Sequence, residues 1–499
     1  MSVSQKIIKN TVFNFIGYFW GILVALLLTP YIIQHIGIER YGVLAIIGSV
    51  TGYFGLFDFG VGHSFVKYIS EFFANKEYKK INQVINIGFA FYSVFGVFII
   101  AIAFFIIKPL FSFFKIPIYL YNEMLFVFLL GIILFALSGA LSIFKAIQTG
   151  LQQMDISNKI AIAVSIPNII GTILFLERGY GLPGLMVNNA IIFFISSIIN
   201  ILVAYRIFPA LRFNPFLFEK GIFKMLFNFG IKRWVTFVEE IITFQTDRIL
   251  IAHFLNIGLV GLYQLGFVIV DKVRVFLGLL TSAVVPAVSE LDATGQKEKI
   301  VELYSRSTRY MSAVSIPIFT FFFATAHLVM LIWMGHGYEK SELVIRILAP
   351  AFLMGVLVSF AASTAVGIGR PDFQMKSGGG QAILNLILSI ILVIKIGFAG
   401  VVIATLISVS LSAAYLMAKF HSYLKIPLYR FIKKNIFKPL IASLIAGIVI
   451  SLVNFRFNNL MYNRVSNLIF FIYEGFLFLV CYFLILWKSG FINKRPCSG

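Results

Sequence analysis

Apolar stretches of about twenty residues, separated by short polar loops, recur from one end of the chain to the other. A helix needs about 20 apolar residues to cross the roughly 30 Å hydrocarbon layer of a bilayer. Because lipid offers no hydrogen-bonding partners, the backbone groups must be paired within the segment, and a helix achieves this. The alternating ten-residue segments typical of a membrane-spanning barrel are not apparent. The pattern therefore predicts an all-α polytopic membrane protein.

We predict about fourteen spans, with twelve or thirteen as alternative counts because Pro167 and Pro183 lie in or beside two short spans. In order, the predicted spans cover residues 11–34, 42–65, 83–107, 123–147, 160–177, 184–206, 225–250, 259–287, 309–334, 342–366, 378–395, 399–419, 437–454 and 467–487. The first of them is too long for the core of a signal peptide and lacks a small-residue cleavage site, so we interpret it as a span.

The composition supports the membrane assignment, and the positions of the basic residues explain the positive charge. The 499 residues are 60% hydrophobic and 12% charged, and the formal net charge is +21. Most lysine and arginine residues fall in loops on the same side as the N-terminus, as expected for the cytoplasmic side. We therefore predict that both termini are cytoplasmic, and the basic character gives no reason to expect a nucleic acid partner.

Weak internal similarity relates the two halves of the chain at an offset of about 217 residues. The matching segments are 33–37 with 251–254, 150–155 with 367–372, and 181–185 with 397–401. Because spans one and seven both start inside, the repeat is parallel, an arrangement typical of secondary transporters with a midplane site between the halves. We predict an N-terminal lobe (1–206), a cytoplasmic linker (207–224), a C-terminal lobe (225–420) and two additional helices with a tail (421–499).

Ionisable residues inside the predicted spans are concentrated on spans seven and eight. In span seven, Arg233, Thr236, Glu240, Thr243 and Asp247 recur at spacings that place them on one helix face. In span eight, Gln264, Asp271, Arg274 and Thr281 share a face, with Lys272 about 100° away. A charge at the bilayer centre costs about 2.5–3.5 kcal/mol on insertion scales, so it usually faces a cavity or a partner.

Two interpretations of these charges are open. In the first, Arg233, Lys272 and Arg274 line a water-filled cavity and bind an anionic headgroup, since arginine forks suit phosphate oxygens. In the second, Asp271 and Arg274 form an intrahelical pair at i, i+3, and Arg233 and Glu240 compensate each other less directly. We take Asp58, Glu240, Asp247, Asp271 and Gln264 as polar cavity or ion-coupling candidates, with Na⁺ or H⁺ as the coupling ion.

The Asp58-Phe59-Gly60 sequence interrupts the second predicted span and has two interpretations of its own. Asp58 could bind a cation. An Asp-x-Gly near a helix end is more often a capping device, because the carboxylate accepts local backbone N–H groups and the glycine allows unusual dihedral angles. The second half of the chain has no matching sequence at the corresponding place. We therefore favour a capping role for Asp58.

Motifs for catalysis are missing. The chain has no GxxxxGK[ST] loop for nucleotide hydrolysis and no HExxH or GxSxG motif. The predicted outward loops are short, which leaves little room for the catalytic domain of a membrane glycosyltransferase or ligase. The two cysteines, Cys481 and Cys497, have no metal-site spacing. We expect neither enzymatic activity, nor a metal site, nor a cofactor.

Several short motifs, in order, resemble those of a known family. The turn at 35–42 (HIGIERYG), the break at 57–62 (FDFGVG) and the basic segment that follows look like the N-terminal signature of bacterial polysaccharide-export flippases. These belong to the multidrug/oligosaccharidyl-lipid/polysaccharide exporter superfamily. The segments 246–251 (TDRILI), 286–291 (PAVSEL), 385–388 (NLIL) and 397–405 (GFAGVVIAT) are similar to later signatures of the same family.

The resemblance implies a fold, a substrate and a membrane. The fold would have two six-helix lobes in a V, a cavity lined by helices one, two, seven and eight, and two extra C-terminal helices. The substrate would be an oligosaccharide on undecaprenyl diphosphate, moved between leaflets of the cytoplasmic membrane for O-antigen, capsule or exopolysaccharide synthesis. Membrane lipid, a polysaccharide polymerase and other assembly proteins would be partners.

Alternatives of the same fold stay open. A lipid II flippase is disfavoured because the first span here carries no arginine within the membrane. A cation-coupled multidrug exporter would need acidic residues to attract cationic drugs, and Glu239, Glu240 and Asp271 keep this alternative open. A non-transporting scaffold of a polysaccharide-assembly complex would tolerate charge changes inside the helices.

Overall fold

The computed structural model describes residues 3–214, 219–281, 284–457 and 463–491, and within these ranges all regular structure is helical. The helices are α1 (Val3–Phe54), α2 (Val61–Ala74), α3 (Tyr78–Phe113), α4 (Tyr121–Gly150), α5 (Met154–Glu177), α6 (Gly181–Ile207), α7 (Lys220–Phe254), α8 (Ile257–Gly278), α9 (Val284–Ala293), α10 (Lys297–Trp333), α11 (Glu339–Gly367), α12 (Asp372–Ile396), α13 (Phe398–Leu424), α14 (Leu428–Asn435), α15 (Phe437–Phe457) and α16 (Arg464–Lys488). Short 3₁₀ turns occur at Gly55–Asp58, Ile118–Leu120 and Leu279–Thr281.

Eleven helical segments of the described chain are long and apolar enough to cross a bilayer. The first, Val12–Asp58, covers two predicted spans. These two spans meet in α1 at a kink at Gly37, whose φ of 82° and ψ of 164° are not helical. α7 and α8 fall outside this set because each carries several charged residues, yet both are continuous helices at the predicted places. The structure thus confirms an all-α polytopic membrane fold.

The order of elements repeats between the two halves. Each of α10 to α13 begins about 218 residues after its counterpart among α3 to α6, which confirms the parallel repeat. The second half also contains a break that its sequence does not announce: α8 ends in the 3₁₀ turn Leu279–Thr281, and the short helix α9 follows. A 3₁₀ turn followed by a short helix therefore recurs here without the Asp-Phe-Gly sequence that marks the first break.

Two predicted spans end too late, because each of them runs through a break in the helix. The span predicted at 42–65 leaves the α-helical conformation after Phe54, and residues 59 and 60 adopt left-handed conformations before α2 begins. The span predicted at 259–287 stops at Gly278. Apolar composition continues through both breaks, so hydropathy alone joined two elements into one.

The chain divides into two compact units, and α7 contributes to both. The first unit comprises Met1–Ile241 with Asn256–Gly261, and the second comprises Ile242–Leu255 with Leu262–Gly499. Within the first, Ile222 and Leu226 of α7 belong to a buried cluster with residues of α2, α3, α4 and α6. The C-terminal lobe was predicted over 225–420, whereas the early turns of α7 pack within the first unit.

Tight backbone contact holds α7 to the first break. A Cβ atom at Gly60 would overlap the carbonyl oxygen of Gly230, and Gly60 itself has a φ of +70°. The indole nitrogen of Trp234 donates a hydrogen bond to the carbonyl oxygen of Leu56, and its ring lies 5.8 Å from that of Phe59. Glycine at both contact positions is therefore required by the space between two backbones.

In the second unit, α10 packs with α11, and α12 packs with α13. The two helices outside the repeat, α15 and α16, pack on each other and on α10. Ala442, Ala446, Phe478 and Tyr482 belong to a separate buried cluster there. The hydroxyl group of Tyr482 donates a hydrogen bond of 2.8 Å to the carbonyl oxygen of Ala313 in α10. The helix pair is thus a packed part of the second unit.

Candidate functional site

A carboxylate on α7 lies in the interior of the second unit. Asp247 is fully buried. Its oxygens accept hydrogen bonds from the hydroxyl groups of Tyr263 on α8 (2.8 Å), Thr405 on α13 (2.7 Å) and Ser389 on α12 (3.5 Å). Four helices therefore converge on one carboxylate. Because a buried charge is costly unless it is paired or hydrogen-bonded, this arrangement is a specific one.

The oxygen atoms around Asp247 extend to an amide. Asn385 of α12 is fully buried and donates a hydrogen bond of 3.0 Å from its Nδ2 to the hydroxyl oxygen of Thr405. The Oδ1 atom of Asn385 has no hydrogen-bond partner among the residues that the structure describes. Carboxylate, hydroxyl and amide oxygens are the ligands that hard cations prefer. The cluster can hold a proton or a monovalent cation.

An arginine next in sequence to Asp247 is buried in the same unit. Arg248 is 5% exposed. It donates hydrogen bonds to Oε1 of Gln264 (2.5 Å), to Oε1 of Gln245 (2.6 Å) and to the carbonyl oxygen of Phe244 (2.8 Å). Its guanidinium carbon lies 4.6 Å from the centre of the Phe267 ring. Gln264 is therefore a hydrogen-bond acceptor for a buried arginine.

The arginine of α8, Arg274, pairs with an aspartate of its own helix. The Nε atom of Arg274 donates a hydrogen bond of 2.9 Å to Asp271, and a second guanidinium nitrogen lies 2.8 Å from the same oxygen. The guanidinium carbon is 4.8 Å from the ring centre of Phe244 and 5.5 Å from that of Phe352. This is the intrahelical pair of our second interpretation. About a quarter of the Arg274 side chain remains exposed, so it is accessible.

The other predicted residues occupy different environments. Lys272 is half-buried on α8, and Glu240 on α7 is exposed. Arg233 lies on α7, but its side chain is outside the part of the chain that the structure describes. The predicted polar face of α7 is therefore not uniform, because it passes from the exposed Glu240 to the fully buried Thr243 and Asp247.

Asp58 lies at the first break, in the first unit. Its Oδ1 accepts a hydrogen bond of 2.6 Å from the hydroxyl group of Tyr92 on α3. Both of its carboxylate oxygens lie 3.4 Å from the backbone nitrogen of Gly62, in the first turn of α2. These contacts agree with the capping role favoured from the sequence. They anchor the start of α2 to α3.

The partners of Asp58 and Asp247, and the buried Arg248, were not predicted from the sequence. Arg248, Tyr263 and Thr405 were named only within family-like segments, or not at all, and Tyr92 was not singled out. A signal was available for Arg248, because Asp247 and Arg248 are an oppositely charged pair inside an apolar helix. Thr405 and Tyr92 come from other helices, and their proximity depends on the fold. No cluster of three or more His, Cys, Asp or Glu residues occurs within the described ranges.

Comparison with known proteins agrees with the fold and with the motifs. A family model described as "Polysaccharide biosynthesis protein" matches residues 36–343. A candidate O-antigen transporter of Shigella flexneri is 24% identical over 418 residues, which are 83% of this chain and 97% of that protein. Because the family model covers more than half of the chain, membership in the family follows from it.

Solved structures extend the comparison to the fold. The lipid II flippase MurJ, in an inward closed conformation, matches with a TM-score of 0.73 and 15% identity, over 98% of this chain and 100% of that one. An inward-facing multidrug resistance transporter of the MATE family and MOP superfamily matches with a TM-score of 0.67 and 15% identity, over 85% and 95%. The chain belongs to the polysaccharide biosynthesis protein family and has the MATE-like fold of these transporters.

Proposed function

We propose that this protein is a flippase for lipid-linked oligosaccharides, working by alternating access in the cytoplasmic membrane. Its substrate would be a glycan repeat unit on undecaprenyl diphosphate, moved to the outer leaflet for O-antigen, capsule or exopolysaccharide synthesis. The family match and the relative named as an O-antigen transporter support this proposal. The protein would act as a transporter and not as an enzyme, with both termini in the cytoplasm.

One observation favours a lipid-linked substrate over a drug. The match to the lipid II flippase covers 98% of the chain, whereas the match to the multidrug transporter covers 85%. The structure has two helices beyond its repeat, α15 and α16, and a match over 98% must include them. The complete helix set is therefore like that of a flippase of lipid-linked glycan.

Arg233, Lys272 and Arg274 are proposed to bind the diphosphate or acidic sugars of the substrate. Arg274 supports this role best, because Asp271 and two aromatic rings hold its guanidinium group in a fixed orientation while part of it stays exposed. An arginine oriented in this way loses less side-chain entropy when it binds phosphate. Asp271 would then be a positioning residue, and Glu240 would be a polar neighbour of the substrate path.

Asp247 is proposed as the coupling site. It is fully buried, and hydroxyl groups from three other helices surround it. Binding of Na⁺ or H⁺ would neutralise a carboxylate in the interior of the second unit and so change the packing of α7 against α8, α12 and α13. Asp58 is a weaker candidate, since its described contacts are those of a helix cap.

The test is complementation of a bacterial strain that lacks its own oligosaccharide flippase. We expect the native chain to restore surface polysaccharide and the variant with Lys272→Ala and Arg274→Ala to fail while remaining in the membrane. A matched control replaces two exposed cations at the start of α10, Lys297→Ala with Lys299→Ala, and should restore normal polysaccharide. Normal polysaccharide in the first double variant would contradict the cationic site.

A multidrug exporter is the second candidate, because the MATE-family transporter shares the fold over most of the chain. The same strain distinguishes the two functions. An exporter would change the susceptibility to cationic drugs and leave surface polysaccharide missing, whereas a flippase would do the reverse. Restoration of peptidoglycan synthesis in a strain depleted of its lipid II flippase would instead identify lipid II as the substrate. A scaffold would tolerate the Lys272 and Arg274 substitutions.

A further inference from the structure

A single carboxyl group lies buried at mid-length in the last helix. Glu474 is the eleventh of the 25 residues of α16, about 15 Å along the axis from its first residue. Its side chain is fully buried where α16 packs on α10 and α15. Because α15 and α16 lie outside the repeat, neither the cationic residues of α8 nor the Asp247 cluster accounts for this group.

Within the described ranges, the helices packed on α16 offer Glu474 no compensating charge. It is the only aspartate or glutamate of the sequence beyond Asp372. The sequence of α10 is free of charged and histidine residues between Arg309 and His327, and that of α15 between Lys438 and Arg456. On α16, the nearest ionisable side chains besides Glu474 are Tyr473, which is 54% exposed, and further along Cys481 and Tyr482.

No hydrogen bond of ordinary geometry reaches either carboxyl oxygen of Glu474 from the described residues, although the amide group of Asn454 on α15 is near enough to act on the carboxyl group. An ionised carboxylate without a partner is the most costly group to place in an apolar interior, and such a group takes up a proton instead. The observed conformation is therefore compatible with a neutral carboxyl group. It also leaves both oxygens available for an incoming ligand.

Polar groups lead from the start of α16 toward Glu474. Asn467 is 4% exposed and seven residues before Glu474, hence on the same helix face. Asn454 lies on α15, which packs on α16, and its amide group neighbours the carboxyl group of Glu474. The Oδ1 atoms of both asparagines have no hydrogen-bond partner in the part of the chain that is described. Such amides can hold bridging water molecules, through which a proton can move.

We propose that Glu474 is a proton-binding site, reached from the end at which α16 begins along Asn467 and Asn454. The site takes up a proton to give a neutral carboxyl group and releases it to give a carboxylate when transport opens the helix pair to water. In the predicted orientation this end of α16 faces outward. The link between that proton and transport rests on the proposed function. Glu474 would be an ion site in addition to Asp247, and unlike Asp247 it lies outside the repeat.

A metal cation fits the site less well than a proton. The spacing of seven residues places Asn467 about 10.5 Å along the axis from Glu474, too far for both to bind one ion. Among the described residues Asn454 would then be the one amide beside Glu474, whereas cations bound by oxygen take about six ligands. A proton needs only the carboxyl group itself.

The protonation state is tested on the full chain in phosphatidylethanolamine–phosphatidylglycerol vesicles by infrared spectroscopy. We expect the carbonyl stretch of a neutral carboxyl group at pH 7, shifted by ¹³C-glutamate labelling and missing in Glu474→Gln. A control variant, Glu302→Gln, alters an exposed carboxylate paired with Arg306 and should keep the band. Identical carbonyl regions in the native protein and Glu474→Gln would overturn the proposal. This measurement needs no substrate, so its result is independent of the proposed function.

The link to transport is tested by surface polysaccharide in the complementation strain. Glutamine mimics the neutral carboxyl group, so Glu474→Gln should reach the membrane at native levels but reduce polysaccharide at least tenfold, because no proton can leave. Glu474→Asp keeps a titratable group and should restore part of the activity. Full polysaccharide with Glu474→Gln would refute proton release, and failure of Glu474→Gln to accumulate would refute the neutral state. If the native chain itself restores none, the proposed function fails and the infrared result still decides the site.

Discussion

Two aspartates, one in each unit, accept a hydrogen bond from a tyrosine, and their surroundings differ. Asp58 accepts from Tyr92 at 2.6 Å and also lies near the backbone nitrogen of Gly62. Asp247 accepts from Tyr263 at 2.8 Å and from the hydroxyl groups of two further helices. The first carboxylate is half-buried at a break in the helix, and the second is fully buried within a continuous helix.

Asp58 therefore has a structural reason to be present, whereas Asp247 is the better candidate for a functional role. At a break, free backbone N–H groups need an acceptor, so a carboxylate there has a structural reason to be present. Within α7 the backbone is already paired, and a buried carboxylate has no such reason. The fully enclosed aspartate is therefore the better place to expect ion binding, although the sequence around Asp58 is the more conspicuous of the two.

The largest effect is expected at the break itself. Gly60→Ala places a Cβ atom against the backbone of Gly230 and forces a non-glycine residue to a φ of +70°. We expect a loss of about 3 kcal/mol or more in folding stability, visible as poor membrane accumulation and a lower melting temperature in detergent. Gly48→Ala in α1, where nothing lies within 4 Å, is the control and should accumulate normally. Normal accumulation of Gly60→Ala would show that the two backbones can separate.

The next effect concerns transport. Asp247→Asn keeps the shape of the side chain and removes its charge, so we expect at least a tenfold loss of surface polysaccharide with the protein still present in the membrane. In detergent, the native protein should gain thermal stability with rising Na⁺ or falling pH, since a bound ion stabilises the folded state, and the variant should not. Native-level polysaccharide in Asp247→Asn would remove the distinction drawn between the two aspartates.

A smaller change is expected from the partner of Asp247 on α13. Thr405→Val removes the hydroxyl group that donates at 2.7 Å and preserves the volume of the side chain. The buried carboxylate then loses one donor, which we expect to cost about 1–3 kcal/mol in the free energy of unfolding and to weaken the response of the melting temperature to Na⁺ or pH. An unchanged ion response would place the ion elsewhere.

The smallest effect is expected for Asp58→Asn. Asparagine retains an oxygen that can accept from Tyr92 and from the backbone of Gly62, and it is a good capping residue. We expect a change below about 1 kcal/mol in stability and normal surface polysaccharide in the complementation assay. A loss of polysaccharide as large as that of Asp247→Asn would assign an ionic role to both aspartates.

The fold was predictable because it depends on hydropathy, loop charge and repeat spacing, which are properties of the sequence. The ends of the second and eighth spans were not, because Phe57 and the residues after Gly278 are as apolar as the helices they interrupt. For the site, spacing placed Asp271 and Arg274 on one face, and the structure pairs them. Spacing also grouped Glu240 with Asp247, but the environment of each depends on which helices pack beside it.

The charged residues of α7 have a consequence for how this protein enters the membrane. The sequence of α7 includes Glu239, Glu240, Asp247 and Arg248, and each charge near a helix centre costs about 2.5–3.5 kcal/mol during insertion. Such a segment inserts poorly into the bilayer when it leaves the translocation machinery without a partner helix. The early turns of α7 pack on helices that are synthesised earlier. The protein surface that α7 contacts is therefore already present when α7 is made. Correct topology of the second half would therefore depend on the first half having folded.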